Sequence, residues 1–332
     1  MLKHGLRDRA KLTAAARCLI HLETKPGGTS MPEILFHQYD SSPFSEKVRV
    51  CLGIKKLTWG AVDQPVIMPK PDLVALTGGY RRIPVMQIGA DIYCDSQLIV
   101  RELERRYPEH TLFPQGDCGL AHANALWSDR VVFQAAVAII FGGLGDKVPA
   151  SFVADRSALS GRAFDPAAMR AAVPHMEAQM RAHTALLSDQ LADGRAYLTG
   201  DLPGLVDANG YYNLWFLRSA FPPAERLFDS APFVPDWMER VKSIGHGERM
   251  EVSREAALDI ARTSQPMTGT IASRDALLEG IQVAVAADDY GRDAVRGMLV
   301  GSSEHHLSIR REDPRAGEVV VHFPRIGFSL QS

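Results

Sequence analysis

Apolar residues near the start of the chain change from the spacing of a strand to the spacing of a helix. Residues 34–39 form a short, mostly apolar run that predicts a strand. The apolar positions that follow recur at i, i+4, i+7 and i+8: Phe44, Val48, Cys51 and Leu52. This spacing predicts a helix with one apolar face, and Glu46, Lys47 and Arg49 lie off that face. Ser42, followed by a proline, is typical of a helix start, because its side-chain oxygen can accept from unpaired first-turn N–H groups.

A second strand and a hairpin follow in the same region. Residues 58–66 predict the strand, and residues 83–88 and 92–94 predict a hairpin closed by a short loop that contains glycine. The next helix begins at Asp95-Ser96. A strand, a helix and a strand in succession predict a parallel βαβ unit.

The pattern changes twice beyond this region. Alanine-rich helical spacing dominates residues 119–262 and predicts an all-helical domain, in which Asp165 before Pro166 caps a helix. Residues 263–332 hold short strand-like runs between turns and predict a small β-rich appendage. Residues 1–30 are mostly basic and predict a flexible extension or a start codon assigned upstream of the real one at Met31, with a targeting segment as the less favoured alternative.

Composition narrows the choice of partners. The chain of 332 residues has 37 basic and 39 acidic side chains and a net charge of −2, so it shows no electrostatic footprint for nucleic acid or an anionic membrane. No apolar run approaches the ~18 residues of a spanning helix. The 4 cysteines form no CxxC pair, which argues against a disulfide framework and a zinc site and favours a reducing, cytoplasmic compartment.

Histidines and aspartates near the C-terminus raise the question of a metal site: His305, His306, His322, Asp288 and Asp289. Their spacing matches no established ligand pattern, so no metal is expected.

An ordered set of motifs resembles the glutathione transferase family. The set comprises SSPFSEKVR at residues 41–49, RRIPVMQIGADIYCDSQLIVRELE at residues 81–104 and the helical domain behind them. The resemblance covers residues 31–262. It implies a thioredoxin-like α/β domain at residues 31–115, followed by the all-α domain at 119–262, with the β-rich appendage at 263–332 outside the family pattern. It further implies a homodimer that binds glutathione and a small hydrophobic electrophile, without a metal.

The resemblance assigns part of the glutathione site to the second motif. It implies a cis peptide bond before Pro84, which turns the Ile83 backbone toward the cysteinyl part of glutathione. Asp95 would meet the α-ammonium group of the γ-glutamyl end, and Ser96 would bind its α-carboxylate with the helix start. Arg82 matches a position near the glycyl carboxylate.

The resemblance assigns thiol activation to the first motif. Ser42 would donate to the glutathione thiolate, and Phe44 would belong to the glutathione site. Ser41 and Tyr39 remain rival hydroxyls, just as Arg81 remains a rival of Arg82. Because serines stand where a glutaredoxin-like relative has cysteines, thiol–disulfide exchange through a protein cysteine is disfavoured.

The type of reaction stays open at the level of the sequence. The leading interpretation is a glutathione transferase that activates the glutathione thiol for detoxifying attack on the electrophile. Glutathione-dependent lyase, dehalogenase or isomerase activity would use the same site, because fold alone does not specify chemistry. The alternative from another class is a non-catalytic module that binds glutathione or another protein. Two departures from the family pattern favour it: Asp95 stands where many members have glutamate, and Gly204 stands where the family has a serine or threonine cap.

Overall fold

A computed structural model of the protein describes residues 31–267 and 269–332. The expectation for residues 1–30 lies outside the described residues. Strands of the described part are β1 (Ile34–Gln38), β2 (Thr58–Asp63), β3 (Val85–Ile88), β4 (Asp91–Cys94), β5 (Glu248–Glu251), β6 (Gln282–Ala287), β7 (Val295–Ser302), β8 (His306–Asp313), β9 (Gly317–Pro324) and β10 (Phe328–Gln331). Its α-helices are α1 (Pro43–Ile54), α2 (Pro71–Thr77), α3 (Ser96–Arg106), α4 (Cys118–Trp127), α5 (Phe133–Leu144), α6 (Ala150–Ser160), α7 (Pro166–Leu191), α8 (Leu205–Ala220), α9 (Val234–Ile244) and α10 (Arg254–Thr263).

The first domain, β1 to α3, has the thioredoxin-like arrangement expected from the sequence. Strand β1 pairs with β2 in parallel and with β3 in antiparallel, and β3 and β4 form the predicted hairpin. Helix α1 begins after Ser42, whose Oγ accepts from the backbone N–H of Ser45 at 3.2 Å. The predicted helix start is therefore confirmed by its hydrogen bond.

Both faces of α1 are buried, which the single apolar stripe did not reveal. Glu46, Lys47 and Arg49 are at most 3% exposed, because α8 of the helical domain packs against the face that carries them. The Nζ of Lys47 lies 2.7 Å from a carboxylate oxygen of Asp129, and Arg49 pairs with Glu46 at 2.8 Å. Buried charges need such partners, since an unpaired one would carry a large desolvation cost.

The helical domain comprises α4 to α9. A π-helical turn, Ser128–Val132, joins α4 to α5 and makes one long helix, Cys118–Lys147, which by length and composition alone could cross a membrane. Half of its apolar window is buried inside the fold, as is usual for a central core helix. Helix α7 begins as predicted at Asp165, which accepts from two first-turn N–H groups.

One strand interrupts the segment that the sequence predicts to be all-helical. Strand β5, within residues 119–262, pairs in parallel with β2 at the edge of the first-domain sheet. Its residues are mostly exposed and charged, so it carries no apolar alternation. Backbone pairing with the open edge of β2, rather than side-chain pattern, makes it a strand.

The β-rich C-terminal region confirms the third part of the predicted fold class, yet its strands continue the sheet of the first domain. Strands β6 to β10, called the strand unit below, join one sheet in the order β10-β6-β7-β8-β9-β4-β3-β1-β2-β5. The junction is the parallel pairing of β4 with β9, in which Tyr93 lies opposite His322. A shared apolar core includes Val85 and Ile92 of the first domain and Val321 and Phe323 of the strand unit.

Candidate functional site

A cavity of about 690 Å³ opens between the first domain and the helical domain. We call it the main cavity. Four of the residues expected at the glutathione site line it: Ser42, Phe44, Arg82 and Ile83. Pro84 is buried next in the chain, and the Ile83–Pro84 peptide bond is cis. The structure therefore brings the two motifs together at one wall.

Three hydroxyl groups stand at the start of α1. Ser41 is exposed, Tyr39 is partly buried and Ser42 is 1% exposed, and all three line the main cavity. Burial raises the pKa of the Tyr39 phenol, against the opposing effects of Arg156 and of hydrogen bonding with Ser42. Ser42 uses an oxygen lone pair to cap its helix, and its O–H can donate either to the Tyr39 oxygen or to a ligand.

Arg82 is engaged by the strand unit. Its Nη2 lies 2.5 Å from Oδ1 of Asp289, and its guanidinium carbon lies 3.9 Å from the ring centroid of Tyr290. Its Nε is buried without a hydrogen-bond partner among the described residues. Arg81, the rival position, pairs instead with Asp155 of α6 at 2.5 Å. The Arg82 guanidinium therefore borders the cavity with its Nη2 already paired to the strand unit and its Nε buried.

The Asp95-Ser96 pair begins α3 as expected. Asp95 has a positive φ of 72°, and its Oδ1 accepts from the backbone N–H of Gln97 at 2.9 Å. Ser96 is 3% exposed. A side cavity of about 40 Å³ borders Asp95, and its wall also includes Arg82 and Tyr290. The γ-glutamyl end of the expected site is therefore narrow, and the strand unit forms part of its wall.

Lys70 is a site residue that sequence reasoning missed. It is 4% exposed and lines the main cavity, and its Nζ donates to the backbone oxygen of Arg81 at 3.3 Å. Burial, reinforced by the nearby charge of Arg156, lowers the pKa of Lys70 to about 8. Only its place in a proline-rich connection before α2 marks it in the sequence, and that signal is weak.

Asp289 and Tyr290 were also missed as site residues. The sequence around them, DDYGRD at residues 288–293, was interpreted as a turn. The backbone N–H of Gly291 donates to the oxygen of Leu159 in α6 at 2.7 Å, which ties the loop to the helical domain. No local pattern could place this loop beside Arg82, more than 200 residues earlier in the chain.

A buried hydrogen-bonded chain fastens the strand unit to the first domain. The imidazole of His322 lies 2.8 Å from Oδ1 of Asp91 and 2.8 Å from Oγ of Ser308, and its ring stacks on Tyr93 at 4.5 Å. The Asp91 carboxylate also accepts from the backbone N–H of Met267 at 3.0 Å. Within the described residues, no group of three or more His, Cys, Asp or Glu side chains is arranged to hold a metal ion.

Aromatic side chains of the helical domain form the opposite wall of the main cavity. Phe141, Phe152 and Phe164 pack on one another with ring centroids 5.0–5.9 Å apart, one pair stacked and two pairs edge-to-face. Phe44 reaches this side from α1 and packs on Phe133 at 4.8 Å. The cavity therefore joins a polar wall from the first domain to an apolar wall from the helical domain.

Two family profiles match the chain. The glutathione S-transferase N-terminal domain matches residues 36–111, and a domain of unknown function, DUF7962, matches residues 146–260. The strand unit lies outside both matches.

Individual relatives extend this picture. Glutathione S-transferase U3 of Arabidopsis thaliana is 28% identical over 92 residues, which is 27% of this chain, and the chain spans 40% of the length of that relative. The solved structure of a GST-like protein from Pseudomonas syringae is 37% identical, with a TM-score of 0.75. The match covers 91% of this chain and all of that one. The identity and full coverage of the bacterial protein, together with the N-terminal domain match, show that the chain belongs to the glutathione S-transferase family.

Proposed function

We propose that the protein is a serine-type glutathione transferase, in which Ser42 activates the thiol of glutathione for attack on an electrophile in the main cavity. One observation carries the proposal: a single cavity joins the Ser42 helix start and the Ile83 backbone to an apolar wall from the helical domain. The first wall suits a peptide thiol, and the second suits an apolar reaction partner.

The free energy needed for thiol activation is within reach of one hydroxyl and one helix. A thiol with a pKa near 8.5 must drop by ~2 units to ionise at neutral pH, which requires about 2.7 kcal/mol. A hydrogen bond to a charged group contributes ~1.5–3 kcal/mol, and a helix N-terminus adds ~0.3–1 kcal/mol. Ser42 offers both, because it lies at the start of α1 and its O–H can turn from the Tyr39 oxygen to the thiolate.

The two ends of glutathione have different partners in this proposal. Lys70 supplies the charge for the glycyl carboxylate, and the guanidinium of Arg82, which lines the same cavity, adds positive charge. Asp95 and Ser96 receive the γ-glutamyl end, and the Ile83 backbone pairs with the cysteinyl residue. The narrow side cavity at Asp95 must widen for that end to enter.

A non-catalytic glutathione-binding module is the second candidate. The observation that favours it is the engagement of Arg82 by Asp289 and Tyr290, which places a protein carboxylate where a ligand carboxylate is expected. The lyase, dehalogenase and isomerase alternatives share the thiol-activating step and differ only in the electrophile. The proposal includes that the protein is a cytoplasmic homodimer with a role in detoxification.

The test begins with a thermal-shift titration of the full chain with glutathione, followed by turnover of 1-chloro-2,4-dinitrobenzene. Binding with turnover supports the transferase. Binding without turnover of any electrophile favours the module. The absence of glutathione binding overturns both candidates.

A further inference from the structure

The main cavity is lined by cations and by no carboxylate. Six basic side chains border it: Lys70, Arg81, Arg82, Lys147, Arg156 and Arg162. Among the described residues that line it, none is aspartate or glutamate. A cavity of one charge sign concentrates ligands of the opposite sign.

Protein carboxylates next to the cavity neutralise only part of this charge. Asp155 is shared by Arg81 at 2.5 Å and Arg156 at 2.7 Å, so one carboxylate serves two guanidinium groups. Lys147 and Arg162 have no carboxylate within 4.0 Å in the described part of the chain. Asp289 pairs with Arg82, and even with Asp155 and Asp289 both counted against the six cations the wall is left with a positive excess.

The proposed function accounts for only the first-domain part of this excess. Glutathione would use Lys70 and Arg82, which both belong to the first domain. The cations on the helical domain are Lys147, which follows α5, Arg162, which follows α6, and Arg156 of α6, which shares the Asp155 carboxylate with Arg81. They face the part of the cavity where the second substrate would bind.

The same part of the cavity offers an apolar surface that the protein covers only in part. Helix α6 has no fully buried residue, although Phe152, Arg156 and Leu159 line the cavity at i, i+4 and i+7. The guanidinium carbon of Arg156 lies 4.5 Å from the centroid of Phe152, so charge and aromatic surface are adjacent. Such a face suits a ligand with an apolar body and a negative group.

We propose that the second substrate is an amphipathic anion, an apolar or aromatic electrophile that carries a carboxylate or sulfonate. Its body packs on the phenylalanine wall, and its charge lies among Lys147, Arg156 and Arg162. The reaction class rests on the proposed function: the thiolate forms a C–S bond at the electrophilic carbon, the leaving group departs with the electron pair of the broken bond, and the thiol proton goes to solvent. The anionic group only positions the substrate.

Turnover of a matched substrate pair tests the proposal on the full chain with glutathione. The pair is 4-chloro-3-nitrobenzoate and its neutral amide, 4-chloro-3-nitrobenzamide, both of which release chloride. Arg156→Gln and Arg162→Gln should each raise the KM of the benzoate about three- to tenfold, with a smaller change for the amide. Lys242→Gln, which removes an exposed cation of α9, is the matched control and should change neither KM. An equal KM shift for both substrates would overturn the proposal.

A binding assay without glutathione separates this proposal from the proposed function. The probes are 8-anilinonaphthalene-1-sulfonate and N-phenyl-1-naphthylamine, which share the ring system and differ in the sulfonate. The wild type should bind the sulfonate probe about tenfold more tightly than the neutral amine probe. The double variant, which combines Arg156→Gln with Arg162→Gln, should remove that preference. If the preference exists but no electrophile is turned over, the anion site stands and the transferase fails. If both probes bind equally while turnover proceeds, the transferase stands and the anion site fails.

Discussion

Two regions of the chain border the same ligand site and reach it by different routes. Residues 39–97 of the first domain reach it through local features, a capped helix start at Ser42 and a strand-to-helix turn at Asp95. The strand unit reaches it through β9, which pairs with β4 and brings Asp289 and Tyr290 against Arg82. Hydrogen bonds between near neighbours in sequence position the residues of the first region, whereas one long-range strand pairing positions those of the second. We therefore expect the reaction rate to depend on single hydroxyl groups of the first region. We expect the shape of the cavity to depend on the contacts that fasten the strand unit to the first domain.

The largest effect is expected at the junction that creates the second region. His322→Ala removes a ring that bonds both Asp91 and Ser308, and it leaves a buried carboxylate with fewer donors. A buried acceptor that loses a donor costs about 1–3 kcal/mol in the free energy of unfolding. Urea denaturation measures this loss. His305→Ala is the matched control, since His305 is exposed in the same unit and should cost little. Equal stabilities of the two variants would contradict the proposed fastening role.

The next effect concerns the chemistry of the first region. Ser42→Ala should lower kcat/KM for conjugation about ten- to a hundredfold, because the hydrogen bond to the thiolate is lost. It should also raise the pKa of the bound thiol, which can be followed by ultraviolet absorbance of the thiolate. Ser42→Thr keeps a hydroxyl and a helix cap and should retain most activity. A larger loss in Ser41→Ala or Tyr39→Phe would move the role to that hydroxyl.

A third prediction uses the titration of Lys70. Its lowered pKa of about 8 means that the ammonium is mostly charged at pH 7 and mostly neutral at pH 9. Because a carboxylate binds the charged form, affinity for S-methylglutathione, which has no thiol to titrate, should fall about tenfold as pH rises through this window. The other charged groups near Lys70 are Arg81, Arg156 and Asp155. Calorimetry at several pH values measures the effect.

The variant Lys70→Arg controls for titration of the ligand itself. Arginine remains charged across this pH range, so the fall in affinity should be much smaller in the variant. An unchanged pH profile in Lys70→Arg would show that another group causes it.

The smallest effect tests whether the strand unit competes with the ligand. Asp289→Asn removes the carboxylate beside Arg82, and glutathione should then bind about two- to fivefold more tightly, because repulsion of its glycyl carboxylate is relieved. Asp288→Asn is the matched control, since Asp288 pairs with Arg130 on an exposed side of the same loop. Weaker binding in Asp289→Asn would mean that Asp289 supports the site instead of competing with the ligand.

Much of the first domain and the helix starts of the helical domain could be predicted from the sequence, because their signals are local. The cap at Ser42, the hairpin before Asp95 and the start of the helix at Asp165 all depend on residues within a few positions of one another. Strand β5 could not be predicted, because its charged residues carry no strand pattern. Lys70 was missed for a similar reason, since its burial depends on packing around Arg81 and α6 rather than on its neighbours in the chain.

The sequence by itself determined the family fold, the order of its parts and the motif residues at the first-domain wall of the main cavity. Tertiary structure alone decided that the strand unit extends the same sheet, that α1 is buried on both faces, and that Asp289 meets Arg82. Local hydrogen bonds and residue spacing depend on short stretches of sequence and can be predicted from them. Strand pairing and the neutralisation of buried charge join residues that are distant in the chain, and only the folded protein shows which ones meet.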